Sequence, residues 1–138
     1  MNATFHLALP CDSIEEVREF YVNILGARQG RSTEKWIDID LYGNQLTFTN
    51  TGPFNFSFKN YKLSGQILPA FHFGVIVDID TWGSLLGTLS KKDIDITTEV
   101  AFLEEKIGEH LSFFVTDPNG YTLEFKSFKK AEEIFQKA

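Results

Sequence analysis

The stretch His110-Leu-Ser-Phe-Phe-Val-Thr-Asp-Pro-Asn-Gly-Tyr-Thr-Leu-Glu-Phe125 decides the fold. Its apolar first part predicts a strand over Leu111 to Thr116. Asp117-Pro-Asn-Gly120 consists of residues that favour a tight turn. Tyr121 to Phe125 predicts a second strand. The stretch therefore predicts two strands joined by a turn, with Glu124 on the second strand.

The end of this stretch has a counterpart in the first half of the chain. Gly43-Asn-Gln-Leu-Thr-Phe48 matches Gly120-Tyr-Thr-Leu-Glu-Phe125, and Phe5-His6 matches Phe71-His72 at the start of each half. Each half also has one strand, one helix and three further strands in the same order. These matches predict an α+β fold in which two βαβββ repeats form one curved mixed sheet with helices on its convex side.

The local signals give bounds for the elements. In the first half, Ser13 and Glu16 form a capping box that starts a helix, and Gly26 ends that helix. In the second half, Asp80 is expected to cap a helix that Gly83 and Gly87 weaken. The other expected strands are Thr4 to Leu9, Ala27 to Arg31, Trp36 to Tyr42, Gln45 to Asn50, Ala70 to Val77 and Ile96 to Leu103.

The length of 138 residues suits one domain over 1–138. We divide it into repeat one (1–50), a linker (51–69), repeat two (70–128) and a C-terminal tail (129–138). The linker is expected to be irregular, yet it carries Phe54, Phe56, Phe58 and Tyr61. Two interpretations stay open: it covers a cavity mouth or a partner subunit, or it lies on its own core.

Strand alternation predicts which side chains share the concave face. If Phe5, Leu7 and Leu9 face the helices, then His6 faces inward, and the same argument turns His72 and Glu124 inward. A single histidine in an apolar strand is also compatible with a hydrogen-bonded core residue. Two imidazoles and a carboxylate on one face, however, suit a divalent transition metal with open coordination positions. Iron(II) or manganese(II) fits this set best, and zinc and nickel are alternatives.

Composition excludes several classes of function. The formal net charge is −6, which disfavours nucleic acid and anionic membranes as partners. The single cysteine, Cys11, excludes an intrachain disulfide and receives no role. No segment resembles a signal peptide or a membrane span, so the expected location is the cytoplasm.

The order of His6, His72 and Glu124 resembles the ligand pattern of the vicinal oxygen chelate superfamily. This superfamily includes glyoxalase I, fosfomycin and bleomycin resistance proteins and extradiol dioxygenases. The resemblance covers nearly the whole chain. The 110–125 stretch and the helix end from Phe20-Tyr21 to Leu25-Gly26 are its most specific parts. It implies a small-molecule substrate and a homodimer.

Several positions depart from the best-known relatives. Glyoxalase I enzymes generally add a carboxylate ligand where the repeat places Thr47. Extradiol dioxygenases carry a tyrosine where this chain has Phe114, and a histidine where it has Glu105. His110, on the face of Phe114, is either a substitute acid–base group or a rim residue exposed to water.

The resulting hypothesis is a metal-dependent enzyme of the dioxygenase or lyase type. Its substrate would chelate the metal through vicinal oxygens and contact Trp36, Gln45, Thr47 and Phe114. Asp38 and Asp40 share the concave face but are expected to be solvated rim residues rather than ligands. Two alternatives are a resistance protein that sequesters a small molecule and a thiol transferase of the fosfomycin type.

Overall fold

The computed structural model describes residues 2–137, except for the side chains of 97–99. The chain divides into two compact units. Unit 1 contains the residues up to Phe56 together with Asp117–Gly120, and unit 2 contains Ser57–Thr116 and the residues from Tyr121 onward. Each unit contains one βαβββ repeat, which confirms the predicted α+β class and the internal duplication.

Unit 1 is built on a four-stranded mixed sheet in the order β1-β4-β3-β2. Its strands are β1 (His6–Cys11), β2 (Arg28–Ser32), β3 (Trp36–Leu41) and β4 (Asn44–Asn50). Strand β1 pairs in parallel with β4, and β3 pairs antiparallel with β4. The central strand β4 therefore sets the register of both its neighbours.

The helix of unit 1 starts as predicted but changes its pitch. Helix α1 (Ile14–Val17) is capped by Ser13, whose Oγ accepts from the Glu16 amide at 3.2 Å. It continues as π-helical turns over Arg18–Ile24, where the Leu25 amide donates to the Phe20 carbonyl. Gly26 has a φ of 79° and ends the helix in the left-handed conformation, as the sequence predicts.

Unit 2 repeats the same order as β7-β10-β9-β8. Its strands are β7 (Phe73–Ile76), β8 (Ile96–Phe102), β9 (His110–Thr116) and β10 (Thr122–Phe128). Helix α2 spans Ile79–Ser90, and its N-cap is Asp78, which accepts from the Thr81 amide at 2.7 Å. The predicted cap, Asp80, lies instead in the first turn, because the chain leaves its extended conformation two residues earlier.

The linker contains a β-hairpin that the sequence does not predict. Strands β5 (Asn60–Leu63) and β6 (Gln66–Pro69) pair antiparallel across a turn in which Ser64 and Gly65 both have positive φ. Leu68 is buried in one cluster with Phe102 and Phe114 of unit 2. One side of the hairpin therefore packs on its own unit, while Tyr61, Leu63 and Ile67 on the hairpin are exposed. Phe56 and Phe58, which precede the hairpin, are exposed as well.

Burial follows the predicted alternation in β1 and β4, whereas β3, β9 and β10 contain consecutive buried residues. In β1, Leu9 and Cys11 are buried, whereas His6 and Ala8 are exposed. In β10, Leu123 and Phe125 are buried on the helix side of the sheet, and Trp82 of α2 donates to the Phe125 carbonyl at 2.9 Å. Phe5 is an exception with 61% exposure, because it precedes the first strand instead of belonging to it. None of the described helices is long and apolar enough to cross a membrane.

Candidate functional site

The candidate site in unit 2 centres on a pair of side chains, the half-buried His72 and the buried Glu124. The His72 Nε2 atom lies 3.1 Å from the Glu124 Oε1 atom. Strand β10 holds Glu124 on the face opposite the helix, next to Gly74 on β7. The absence of a side chain at Gly74 allows the two strands to approach, because a Cβ there would meet the Glu124 backbone.

Hydrogen bonds fix the orientation of both members of this pair. His72 Nδ1 donates to the Pro69 carbonyl at 2.8 Å, since a carbonyl can only accept. Ser112 on β9 donates its hydroxyl to Glu124 Oε2 at 2.7 Å. The ring of Phe114 stands edge-on to His72 with 6.0 Å between centroids. The imidazole and the carboxylate are therefore each held by a second contact in addition to the one between them.

The charges around Glu124 favour its ionised form. Burial raises the pKa of Glu124, but the hydrogen bonds from His72 and Ser112 and the nearby Lys126 ammonium outweigh it, so the pKa lies below its ordinary value. The hydrogen bond to Glu124 raises the pKa of His72 against the opposing effect of burial, and the Pro69 carbonyl adds to the increase. Lys126 Nζ lies 3.6 Å from Glu124 Oε1. The carboxylate therefore favours the protonated form of the His72 imidazole, and Lys126 lies beside both groups.

The donor set of this pair fits two ligands of a divalent metal. Metal-binding histidines commonly donate their second ring N–H to a carbonyl, and ligating carboxylates are commonly hydrogen-bonded. His72 with Pro69, and Glu124 with Ser112, both have this arrangement. Among the side chains that the structure describes, no group of three or more His, Cys, Asp or Glu residues is gathered for metal binding. His72 and Glu124 are thus the two predicted ligands that one unit brings together.

In unit 1, the predicted site residues lie in rows across three strands. The register places His6 beside Gln45 and Gln45 beside Asp40; the next row is Ala8, Thr47 and Asp38. Thr47 therefore occupies in unit 1 the position that Glu124 occupies in unit 2, where Gly74 and Phe114 are its neighbours. His6 lies two residues before Ala8, just as His72 lies two residues before Gly74, so the two histidines occupy equivalent positions in the two repeats. His6 is exposed.

The prediction that Asp38 is a solvated rim residue is wrong. Asp38 is 6% exposed, and its Oδ1 accepts from the Thr47 hydroxyl at 2.7 Å. Gln45 Nε2 and the Arg31 guanidinium each lie 3.4 Å from Asp38 Oδ2. Arg31 also lies over the Trp36 ring, 5.4 Å from its centroid. Two predicted substrate contacts, Gln45 and Thr47, thus bind a buried carboxylate directly, and Trp36 contacts the Arg31 that pairs with it. Alternation placed Asp38 on this face but did not reveal its burial.

Asp40 is closer to the expectation of a rim residue. It is half-buried and forms an ion pair with Arg28 at 2.7 Å. Its other oxygen accepts from the Gly43 amide at 2.7 Å. The hydrogen bond from Arg28 lowers the pKa of Asp40, and the Gly43 amide adds to the decrease. These contacts stabilise the turn between β3 and β4.

His110 is buried, so its interpretation as an exposed rim residue does not hold. Its ring lies between Phe102 and Phe128, with centroid distances of 5.3 and 4.9 Å. Its Nδ1 donates to the Gly108 carbonyl at 2.7 Å. His110 pairs with Phe128, whereas Glu124 pairs with Phe114, so the two rows are about 13 Å apart at ~3.3 Å per residue. A role of His110 in acid–base chemistry stays a prediction.

A family model for the Glyoxalase/Bleomycin resistance protein/Dioxygenase superfamily matches residues 4–125. This chain belongs to that superfamily. The match covers most of both repeats, includes all three predicted metal ligands and ends just after Glu124. No curated protein matches the sequence.

Solved structures share the fold over nearly the whole chain. A glyoxalase/bleomycin resistance protein/dioxygenase from Alicyclobacillus acidocaldarius is 26% identical, with a TM-score of 0.81 and 97% of each chain covered. A genomically encoded fosfomycin resistance protein from Listeria monocytogenes is 14% identical, with a TM-score of 0.67 over 96% of this chain and 98% of that chain. A lactoylglutathione lyase from Agrobacterium tumefaciens is 13% identical, with a TM-score of 0.66 over 92% and 94%. The last two are similar in fold alone.

Proposed function

We propose that this protein is a metal-dependent enzyme of the dioxygenase or lyase type that acts on a small substrate with two adjacent oxygens. The observation that carries the proposal is the His72–Glu124 pair. Its Nε2 and Oε1 atoms lie 3.1 Å apart, and each residue has a further hydrogen bond to another group. His6 is the predicted third ligand. Iron(II) or manganese(II) is the expected metal, with zinc or nickel as alternatives.

The residues of this chain have distinct tasks in such a site. A divalent metal, when bound, would act as a Lewis acid on the substrate oxygens. The Pro69 carbonyl keeps the Nδ1 proton on His72, so Nε2 is the nitrogen that can bind the metal once it loses its own proton. Ser112 keeps the Glu124 carboxylate in position. Phe114 is almost fully buried and excludes water from one side of the imidazole.

Metal content is the first test. Protein purified without chelators is expected to contain about one iron or manganese ion per chain by elemental analysis, as a single mononuclear site requires. His72→Ala and Glu124→Gln should each lose most of it, because each removes a ligand. Glu109→Gln is the matched control, since it removes one carboxylate charge outside the pair. A wild-type chain without metal, or a His72→Ala chain that keeps it, would contradict the proposal.

The reaction class needs a second measurement on the metal-loaded protein. Oxygen uptake with a panel of catechols tests ring cleavage, and turnover of the methylglyoxal–glutathione adduct tests the lyase reaction. Activity in one assay that disappears in Glu124→Gln and persists in Glu109→Gln would identify the class. Loaded protein that is inactive in both assays would refute these two reactions while leaving the metal site intact.

One observation favours a second candidate, a metal-free protein that sequesters a small molecule. Lys126 Nζ lies 3.6 Å from Glu124 Oε1 and already supplies a cation to the carboxylate. A site neutralised by its own lysine can remain folded without a metal. This candidate predicts that protein treated with a chelator binds its small-molecule ligand as tightly as untreated protein does. A loss of binding on chelation would exclude it.

A further inference from the structure

A cavity of about 700 Å³ lies within unit 2, beside the C-terminal tail. Its walls come from the β7–α2 connection, the start of β9, the end of β10 and the tail itself, and they are mainly apolar. Ile76 and Ile79 line it and are exposed to solvent, whereas the lining residues Phe128 and Ile134 are half-buried. Cavities of this size and character are typical of binding sites in proteins.

Phe135, in the tail beside this cavity, is the most exposed large hydrophobic residue among those that the structure describes. Its exposed fraction is 95%, so the ring makes almost no contact with its own chain. Burial of a phenylalanine ring is favourable, because it removes a large apolar area from water. The tail also lies beyond residue 125, where the family match ends. It therefore presents an apolar group that needs a second surface for its burial.

The fold of the tail holds Phe135 away from the cavity of its own chain. The Gly108 amide donates to Glu133 Oε2 at 2.7 Å, and the Ile134 amide donates to the Ala131 carbonyl at 3.3 Å. These hydrogen bonds fix a short 3-10 turn after which Ile134 lines the cavity and Phe135 points into solvent. Turning Phe135 inward would turn Ile134 out, because adjacent residues point in different directions. The ring is therefore available to another molecule.

The charged groups around the cavity allow two copies of this surface to meet. Lys129 Nζ pairs with Glu109 Oε2 at 3.1 Å, and Lys130 Nζ pairs with Glu133 Oε1 at 3.5 Å. Asp78 is the remaining charged residue among the described lining residues, and it caps α2. Since most of these charges are neutralised within their own chain, two identical surfaces would not repel each other strongly.

The exposed aromatic residues of the linker are less suited to pairing with copies of themselves. Phe56 and Phe58 are exposed, but the 51–69 segment also carries Lys59 and Lys62 and contains no aspartate or glutamate. Two linkers face to face would bring four lysines together without a carboxylate from either segment. Charge therefore favours the tail over the linker as a surface for self-association.

We propose that two copies of this chain associate through their tails, with Phe135 of each copy inserted into the cavity of the other. Because the ring and the cavity are neighbours on one surface, a single two-fold axis allows both insertions at once and closes the contact. Each ring would contact Ile76, Ile79 and Phe128 of the other copy. The proposal goes beyond the metal-dependent activity and does not depend on it.

The area of this contact predicts a weak dimer. Two phenylalanine rings and the walls that they cover would bury roughly 600–1,000 Å², at about 150–250 Å² for each ring. Stable interfaces between proteins bury about 1,200–2,000 Å². We therefore expect association that is visible at roughly 10–500 µM protein and absent near ~1 µM.

Sedimentation equilibrium of the full-length protein between ~1 and ~500 µM measures this association. The mass of the wild type should rise from that of one chain toward that of two. Phe135→Ser should weaken association by at least about a hundredfold, because the two-fold axis makes one substitution remove both rings. Ile79→Gln, on the receiving wall, should weaken it by about tenfold. Both positions are exposed, so the urea midpoint of either variant should stay close to that of wild type.

Phe56→Ser is the matched control, because it removes an exposed phenylalanine from unit 1. It should leave association unchanged. No rise in mass with concentration, equal association in wild type and Phe135→Ser, or an equal loss in Phe56→Ser would each overturn the proposal. Association of Ile79→Gln at the strength of wild type would overturn it as well, because the ring would then not occupy this cavity.

Discussion

Replacing Gly74 by alanine is expected to disrupt the pairing of β7 with β10. Gly74 lies opposite Glu124 in the parallel ladder. A Cβ at Gly74 would overlap the Glu124 carbonyl oxygen and lie 2.6 Å from the carbonyl carbon and 2.9 Å from the amide nitrogen. These atoms belong to the backbone of a central strand, so they cannot rotate away as a flexible side chain could. The two strands must separate instead.

The geometry sets the size of the effect. Carbon atoms in contact need ~3.5 Å, so the gap to the Glu124 carbonyl carbon has to widen by about 1 Å, and the overlap with the carbonyl oxygen requires a larger shift still. Inserting an extra methyl group into a packed site typically costs about 1–3 kcal/mol. Ladder hydrogen bonds that break as the strands separate add about 1 kcal/mol each. We expect Gly74→Ala to lower the free energy of unfolding by about 3–5 kcal/mol, a large part of the ~5–15 kcal/mol that a domain has.

Urea denaturation followed by circular dichroism measures this change. Gly83→Ala in α2 is the matched control, because a Cβ there meets nothing within 4 Å. That control should stabilise the protein by up to about 1 kcal/mol, since alanine favours a helix more than glycine does. If Gly74→Ala unfolds within about 0.5 kcal/mol of wild type, as neutral surface substitutions do, then the strand contact does not constrain this position.

Two further predictions concern contacts within single units. Tyr21 is fully buried and donates to Asp117 Oδ2 at 2.9 Å, so Tyr21→Phe should lower the free energy of unfolding by about 1–3 kcal/mol; the same change at the exposed Tyr42 should have little effect. Hydrogen bonding from the Thr81 amide lowers the pKa of Asp78, and its stabilising effect is present above the ordinary pKa and is lost as pH falls through the lower folded value. The difference in urea midpoint between wild type and Asp78→Ala should therefore shrink toward acidic pH, and a pH-independent difference would refute this assignment.

Much of the fold could be predicted from strand alternation and from the internal repeat. Alternation is a local signal, and the repeat presents the same order of elements twice. The alternation in β1, with Leu9 buried and Ala8 exposed, follows directly from apolar spacing. The end-motifs of the two repeats lie at equivalent register positions, Thr47 beside Ala8 and Glu124 beside Gly74. The equivalence of Thr47 and Glu124, drawn from sequence alone, is thus confirmed by the ladders.

The features that the sequence did not reveal depend on tertiary contacts. The β5–β6 hairpin has few alternating residues, and its position follows from the packing of Leu68 on Phe102 and Phe114. The burial of Asp38 likewise depends on partners from two other strands, Arg31 and Thr47. A carboxylate in an alternating strand is expected to be solvated unless its partners are known. Because Arg31 and Thr47 lie on two other strands, the local sequence pattern around Asp38 does not identify them as its partners.

The two repeats differ most in how they neutralise their buried carboxylates. Asp38 has one cation, Arg31, so its surroundings carry no excess charge. Glu124 has Lys126 and, when protonated, His72, so the second repeat carries one cation more than it needs. Deprotonation of His72, which any metal bound at Nε2 requires, therefore leaves Glu124 paired with Lys126. Since Lys126 is 28% exposed, its ammonium can turn toward solvent when a dication approaches. If the proposed metal binds, Glu124 would consequently have a partner before, during and after the change of ligand, and its buried carboxylate would stay ionised throughout.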